Sequence, residues 1–204
     1  MLTHLRPALV MIVAFTVVTG LVYPLAVTGV AQLTLNAKAN GSLIRRGDTV
    51  IGSAVIGQSF TSDRYFRGRP SATSGPDPAD ASKTVDAPYN AANSSGSNLG
   101  PTSSKLIDRV AADVAALRKA GMDRDIPADA VTTSASGLDP HISPAFAEMQ
   151  VPRVAAARKV PEEQVSTMLN EHTSQPFLGF IGEPRVNVLE LNLALDAALA
   201  GKSG

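Results

Sequence analysis

The chain has 204 residues, with 18 basic and 18 acidic side chains, 44% apolar residues, 4% aromatics and no cysteine. That balance excludes a strongly basic nucleic-acid binder and a charge-driven disordered chain, because counterion release needs clustered positive charge and disorder needs unbalanced charge or low apolarity. Without cysteine there is neither a disulfide framework nor a thiolate metal site, and every redox compartment remains open.

The charges are unevenly spread, Arg6 and Lys38 being the only ones in the first 38 residues. Ala8 to Val30 is apolar on every helical face. About 20 such residues cross the roughly 30 Å hydrocarbon core. A helix apolar all round belongs in lipid or at the heart of a large protein, and the rest of this chain is too short to wrap it. The expected organisation is a short head over residues 1–7, a transmembrane anchor over 8–35 and a soluble domain over 39–204. A cleaved signal peptide is the rival, since Ala37-Lys38-Ala39 has the small-x-small form. Signal cores, however, run to about 7–15 residues, and this stretch is longer. Charge leaves the orientation open: Arg6 faces Lys38, Arg45 and Arg46 across the span, but a short head decides little and large domains translocate regardless. Within the span, Thr16, Gly20, Pro24 and Thr28 recur every four residues. They form either a stripe of close helix–helix approach kinked at Pro24, or ordinary glycine and proline facing lipid.

After a turn at Asn40-Gly41-Ser42, the β-branched run Thr49–Phe60 reads as two short strands broken at Gly52 and Gly57. Arg64, Arg67 and Arg69 bracket an aromatic pair and a turn. They are candidates for a partner-facing anion or carboxylate clamp, the alternative being a solvated loop paired with Asp63. Residues 71–105, rich in Ser, Gly and Pro, read as one long loop, either ordered and partner-facing or a mobile insert. From Ser104 the pattern turns helical, with Leu106, Ile107, Val110, Val114 and Leu117 at 3–4 spacing and a stop at Gly121. Ser143-Pro144 opens another helix, which Pro152 is expected to kink or split. Pro161-Glu162-Glu163 starts a third. Asn187 caps the last, facing Glu190 as a capping-box variant, with Val186 and Leu191 as a hydrophobic staple. Early short strands and later helices behind one transmembrane helix give an α+β class.

No catalytic constellation is visible. His4, His141 and His172 stand at unrelated spacings, so a metal site is not expected. The sequence lacks a phosphate-cradling G-x-x-x-x-G-K-[ST] loop, a G-x-S-x-G elbow and the Asp-Lys-Thr-Gly run that P-type pumps phosphorylate. An anchor plus such a domain reads as a binding or accessory subunit.

Beyond periodicity, the sequence carries specific blocks. These include Leu5-Arg6-Pro7-Ala8, Tyr23-Pro24-Leu25, Asn40-Gly41-Ser42-Leu43-Ile44, Ile56-Gly57-Gln58 and Tyr65-Phe66-x-Gly68-Arg69-Pro70-Ser71-Ala72. Later ones are Ser134-Ala135-Ser136-Gly137-Leu138-Asp139, Gln150-Val151-Pro152-Arg153-Val154-Ala155 and Glu190-Leu191-Asn192-Leu193-Ala194-Leu195-Asp196. In this order they resemble the C subunit of the bacterial Kdp potassium-transporting ATPase over nearly the whole chain. The resemblance implies a non-catalytic accessory subunit of an inner-membrane complex, with the N-terminus cytoplasmic and the large domain extracytoplasmic. Its implied partners are a channel-like potassium-binding subunit, a P-type ATPase subunit and a small single-span subunit. No cofactor of its own is implied, ATP and potassium being handled by the complex. The resemblance further implies a catalytic chaperone that raises ATP affinity, and associates Gln150 with nucleotide contact; the residues alone read Gln150 as an amide capping the break before Pro152. The alternative function is an independent membrane-anchored ligand-binding module using the Arg64–Arg69 turn.

Overall fold

The structure, a computed structural model, describes residues 2–122 and 125–199. The outer limits expected for the head and the domain, Met1 and Gly204, lie outside the described residues. The chain divides into two units, one ending at Ile51 and the next beginning at Gly52.

The first unit opens with α1 (Leu2–Val17), passes through a π-helical turn (Val18–Val22) and continues as α2 (Tyr23–Thr34). Among the described residues, Thr3–Thr34 is the one helix long and apolar enough to cross a membrane. The π-turn has a local cause. Pro24 lacks an N–H, and in a regular helix its ring would press on the Gly20 carbonyl. The wider turn just before it, in which the Tyr23 N–H reaches back to the Val18 carbonyl, relieves that conflict. Beyond the span, α3 (Asn36–Ala39) is tied to α2 by amides, Asn36 and Asn40 each donating to Gln32 Oε1 at 2.9 and 3.0 Å. Strands β1 (Leu43–Arg46) and β2 (Thr49–Ser53) then pair around Gly47, whose φ of +59° suits the tight turn.

The second unit is α+β. Its early part holds a small hairpin, β3 (Ser74–Pro76) against β4 (Thr84–Asp86). Next come α4 (Ser104–Lys119) and α5 (Ala128–Val131), followed by β5 (His141–Ile142) and α6 (Pro144–Arg158). The chain closes through α7 (Glu162–Glu171), β6 (Thr173–Ser174), β7 (Arg185–Asn187) and α8 (Val188–Leu199). β7 is the centre of an antiparallel sheet ordered β5-β7-β6, with Ile142 and Thr173 both opposite Val186. Helix α6 packs on α7, and α7 on α8. Phe66, Phe146, Val154, Val165, Leu169, Val186, Leu191 and Leu195 form the heart of the core.

Three expectations need correction. Of the kink or split expected at Pro152, the split is absent: α6 runs unbroken through it, because Val151, Val154 and Ala155 bury the facing side while Pro152 itself lies on the solvent side. Only the first half of Thr49–Phe60 is a strand; beyond it Ser53 and Ile56 share a single bridge. Gly52 and Gly57 mark close packing there, since a Cβ would lie 2.6 Å from the Leu189 side chain at one and against the Tyr89 ring at the other. The long loop is neither structureless nor one piece. Buried Thr73 donates to the Ala87 carbonyl (2.6 Å) and accepts from the Asn90 N–H (3.1 Å), and Ser71 donates to the Gly137 carbonyl (2.7 Å). Short hydroxyl side chains thus satisfy backbone groups that apolar burial would leave bare.

The helix caps agree with the sequence. Ser143 Oγ accepts from the Phe146 N–H (3.1 Å) and donates to Asp129 (2.9 Å). Asn187 Oδ1 accepts from the Glu190 N–H (3.2 Å) while its amide donates to the Ala54 carbonyl (2.8 Å), so one side chain caps α8 and holds the 53–56 segment. Gly121, at φ +84°, ends α4.

Candidate functional site

The segment Arg64–Arg69 is held by two buried amides. Asn192 of α8 accepts from the Phe66 N–H (2.8 Å) and donates to the Phe66 carbonyl (2.9 Å). Gln150 of α6 does the same for the next residue, accepting from the Arg67 N–H (2.8 Å) and donating to its carbonyl (3.1 Å). Each amide imitates a neighbouring strand, and both side chains are 1% exposed. Phe66, fully buried between them, plugs its ring into the core.

Two arginines from α6 complete the clamp. Arg153 donates to the carbonyls of Asp63 (2.8 Å) and Tyr65 (3.1 Å) and to Gln150 Oε1 (2.8 Å). Arg158 donates to the Arg64 carbonyl (2.7 Å) and to Asp196 (2.9 Å), and its guanidinium lies 5.2 Å from the centre of the Tyr65 ring. The Tyr65 hydroxyl donates to the other oxygen of Asp196 (3.0 Å). That bond, joined by burial and the Asp196 charge, raises the Tyr65 pKa above that of a free phenol. The carbonyls of Asp63, Arg64, Tyr65, Phe66 and Arg67 are therefore all engaged by side chains from α6 and α8.

The three arginines expected to act together are sent to different places. Arg64 is exposed. Arg67 pairs with Asp63 at 2.8 Å on the outer surface. Arg69, half-buried, reaches Asp139 at 3.3 Å and the Thr132–Thr133 turn. Asp139 also accepts from the His141 N–H at 3.0 Å. Burial pushes its carboxyl upward, but the His141 hydrogen bonds and the His141 and Arg69 charges outweigh this and hold it below the ordinary range. Beneath Arg69, the Tyr89 hydroxyl donates to the Arg69 carbonyl (2.7 Å), and burial pushes that phenol up to about 12.

Gln150 does not cap a break, since α6 has none; its amide belongs to the clamp. Thr16 lies in α1, Gly20 in the π-turn, and Pro24 and Thr28 in α2. The π-turn accommodates one extra residue, removing roughly 100° of rotation. This offsets part of the drift of an every-fourth-residue row, about 40° per step. Among the described residues no group of His, Asp and Glu could hold a metal ion. Sequence reasoning missed Asn192, Arg153, Arg158 and Asp196 as a set. Their only signal is the helical spacing of Gln150, Arg153 and Arg158 on α6, which does not show what they grip.

A family model described as "K+-transporting ATPase, c chain" (KdpC) matches residues 5–197. The chain is similar to the potassium-transporting ATPase KdpC subunit of Rhodopseudomonas palustris, with 62% identity over 97% of this chain and 98% of the relative. It is likewise 61% identical to the KdpC subunit of Methylobacterium nodulans over 99% of this chain and 100% of the relative. For the KdpC subunit of Bradyrhizobium diazoefficiens the identity is 58%, over 98% and 100%.

Proposed function

The chain belongs to the KdpC family, the c chain of K+-transporting ATPases, and from that premise we propose how this non-catalytic subunit serves its complex. It supports assembly with a channel-like potassium-binding subunit, a P-type ATPase subunit and a small single-span subunit. The membrane helix presents Thr16, Gly20, Pro24 and Thr28 to a partner helix, and the domain, on the extracytoplasmic side, presents the clamped segment with Arg64 and Arg67 outward. A match along residues 5–197, span and domain together, carries this reading. Its effect on the ATP affinity of the pump subunit is exerted through the assembled complex, without direct contact between Gln150 and nucleotide. In support, Gln150 is buried and its amide is committed to Arg67 and Arg153. Against an independent ligand-binding module stands Arg69, which is half-buried on Asp139 and so does not face outward with Arg64 and Arg67.

The test is recovery of the complex on a tagged full-length chain from cells expressing the whole set of subunits. Wild-type chain should bring down potassium-dependent ATPase activity, while the purified chain alone hydrolyses no ATP. Lipid offers helices no hydrophobic drive to associate, so close backbone approach matters. Apart from its chain neighbours and the nearby backbone of its own helix, a Cβ at Gly20 meets nothing within 4 Å, so the chain has room for a side chain there. Gly20→Leu should lower recovery severalfold, and Val13→Leu should not. Recovery without any ATPase overturns the accessory reading; equal recovery of both variants moves assembly from the stripe to the domain.

A further inference from the structure

Between β6 and β7 the chain makes a second, tighter hairpin whose tip is apolar and bare. Phe177 and Ile181 exchange both backbone hydrogen bonds, at 3.0 and 2.9 Å. Phe177, Leu178, Phe180 and Ile181 are 69%, 69%, 76% and 52% exposed. Elsewhere from Gly52 onward, the large apolar side chains exposed among the described residues, Val55, Val85 and Ile107, stand singly. From Thr173 to Gly182 there is no charged side chain. Leu178 holds φ +54° in the turn, a left-handed conformation that Asn or Gly adopts with less strain. A bulky apolar residue is thus kept where both solubility and turn preference favour a small polar one.

We propose that this tip, Phe177–Ile181, inserts into the apolar margin of the lipid bilayer that the chain's own helix spans, giving the domain a second membrane contact. The proposal rests on the membrane-span reading. Three observations favour lipid over a protein groove. The tip is convex and presents large side chains around a tight turn, so a fluid medium receives it without a matching cavity. Four of its backbone N–H groups, those of Phe177, Gly179, Phe180 and Ile181, already donate within the tip, which lowers the cost of entering an apolar medium. Residues 35–51, which join the long apolar helix to the domain, reach at most roughly 60 Å even fully extended, so the tether keeps the domain in the neighbourhood of the bilayer. Tethering makes insertion intramolecular, so no translational freedom is lost in it. Lacking charge, the contact needs no anionic lipid and resists salt.

The chain has no tryptophan, so single indoles report position cleanly. Full-length chain carrying Phe180→Trp, Ile107→Trp or Val13→Trp is reconstituted into neutral phosphatidylcholine vesicles whose acyl chains are brominated near the carbonyl end. Val13→Trp verifies the span. Phe180→Trp should emit to the blue of Ile107→Trp and be quenched severalfold more strongly, unchanged in high salt; adding Phe177→Asp should abolish the difference. With Val13→Trp embedded in lipid, a Phe180→Trp signal equal to that of Ile107→Trp overturns the proposal and leaves the span standing. A blue shift without bromine quenching also overturns it, by assigning the tip to a protein surface such as a second copy. If Val13→Trp itself emits as if in water, the membrane-span reading fails, and this proposal falls with it.

Discussion

At the scale of residues, the chain is governed by a few buried amides rather than by its many surface charges. Asn192 satisfies both polar groups of Phe66, a residue with no exposed surface, so truncation would strand a donor and an acceptor in the core. Leaving such groups unpaired costs about 1–3 kcal/mol each. Asn192→Ala should therefore lower unfolding stability by about 2–6 kcal/mol, read as a fall in the denaturation midpoint of the detergent-solubilised chain. Gln150→Ala should cost less, because Arg67 lies nearer solvent and water can replace part of the loss. If Gln150→Ala proved as costly as Asn192→Ala, the outer half of the clamp would be as dry as the inner half. Surface pairs such as Asp80–Lys83, both exposed, carry little stability by comparison.

At the scale of elements, α6 shows tertiary packing overruling a local rule. Pro152 removes a hydrogen bond to the Glu148 carbonyl, yet the helix persists because its buried face is fixed by α7 and the core. The ring lies on the solvent side and fills no core space. Pro152→Ala should consequently stabilise the chain by roughly 1–2 kcal/mol, the regained helix propensity being partly offset by a freer unfolded chain. A lower melting temperature for Pro152→Ala would mean that the ring shapes the helix for its neighbours. The long N-terminal helix resolves the same chemistry differently: with no neighbouring core to hold it, Pro24 is accommodated by a π-turn in the backbone itself. Such short pieces as β3, β4, β5 and β6 carry too few residues to show a period of two, so they were invisible as strands in the sequence. The 71–105 region accordingly read as loop, although its hydroxyl and amide side chains order it.

At the scale of the whole molecule, the extracytoplasmic placement proposed for the domain has the most bearing on function. Absence of cysteine makes a direct test clean. Ser94 is exposed and donates only to the Ser136 carbonyl, so Ser94→Cys should fold normally. In intact spheroplasts that thiol should react with a membrane-impermeant reagent. Labelling only after lysis would place the domain with the cytoplasm and reopen direct nucleotide contact. The long apolar helix, the cap residues Ser143 and Asn187, the stop at Gly121 and the family blocks were legible in the sequence by itself, because each depends on neighbours within a turn or two or on an uninterrupted run of residue types. Only the tertiary structure decided that Gln150 and Asn192 grip Arg67 and Phe66, that Arg153 and Arg158 rather than Arg64, Arg67 and Arg69 bind that segment together, and that Phe177–Ile181 stays bare. Those pairings join residues 83 and 126 positions apart, and an amide or guanidinium that is buried and engaged has the same letter as one in water. Local spacing encodes helix faces and ends; which distant backbone groups meet which side chains is set by how the core packs.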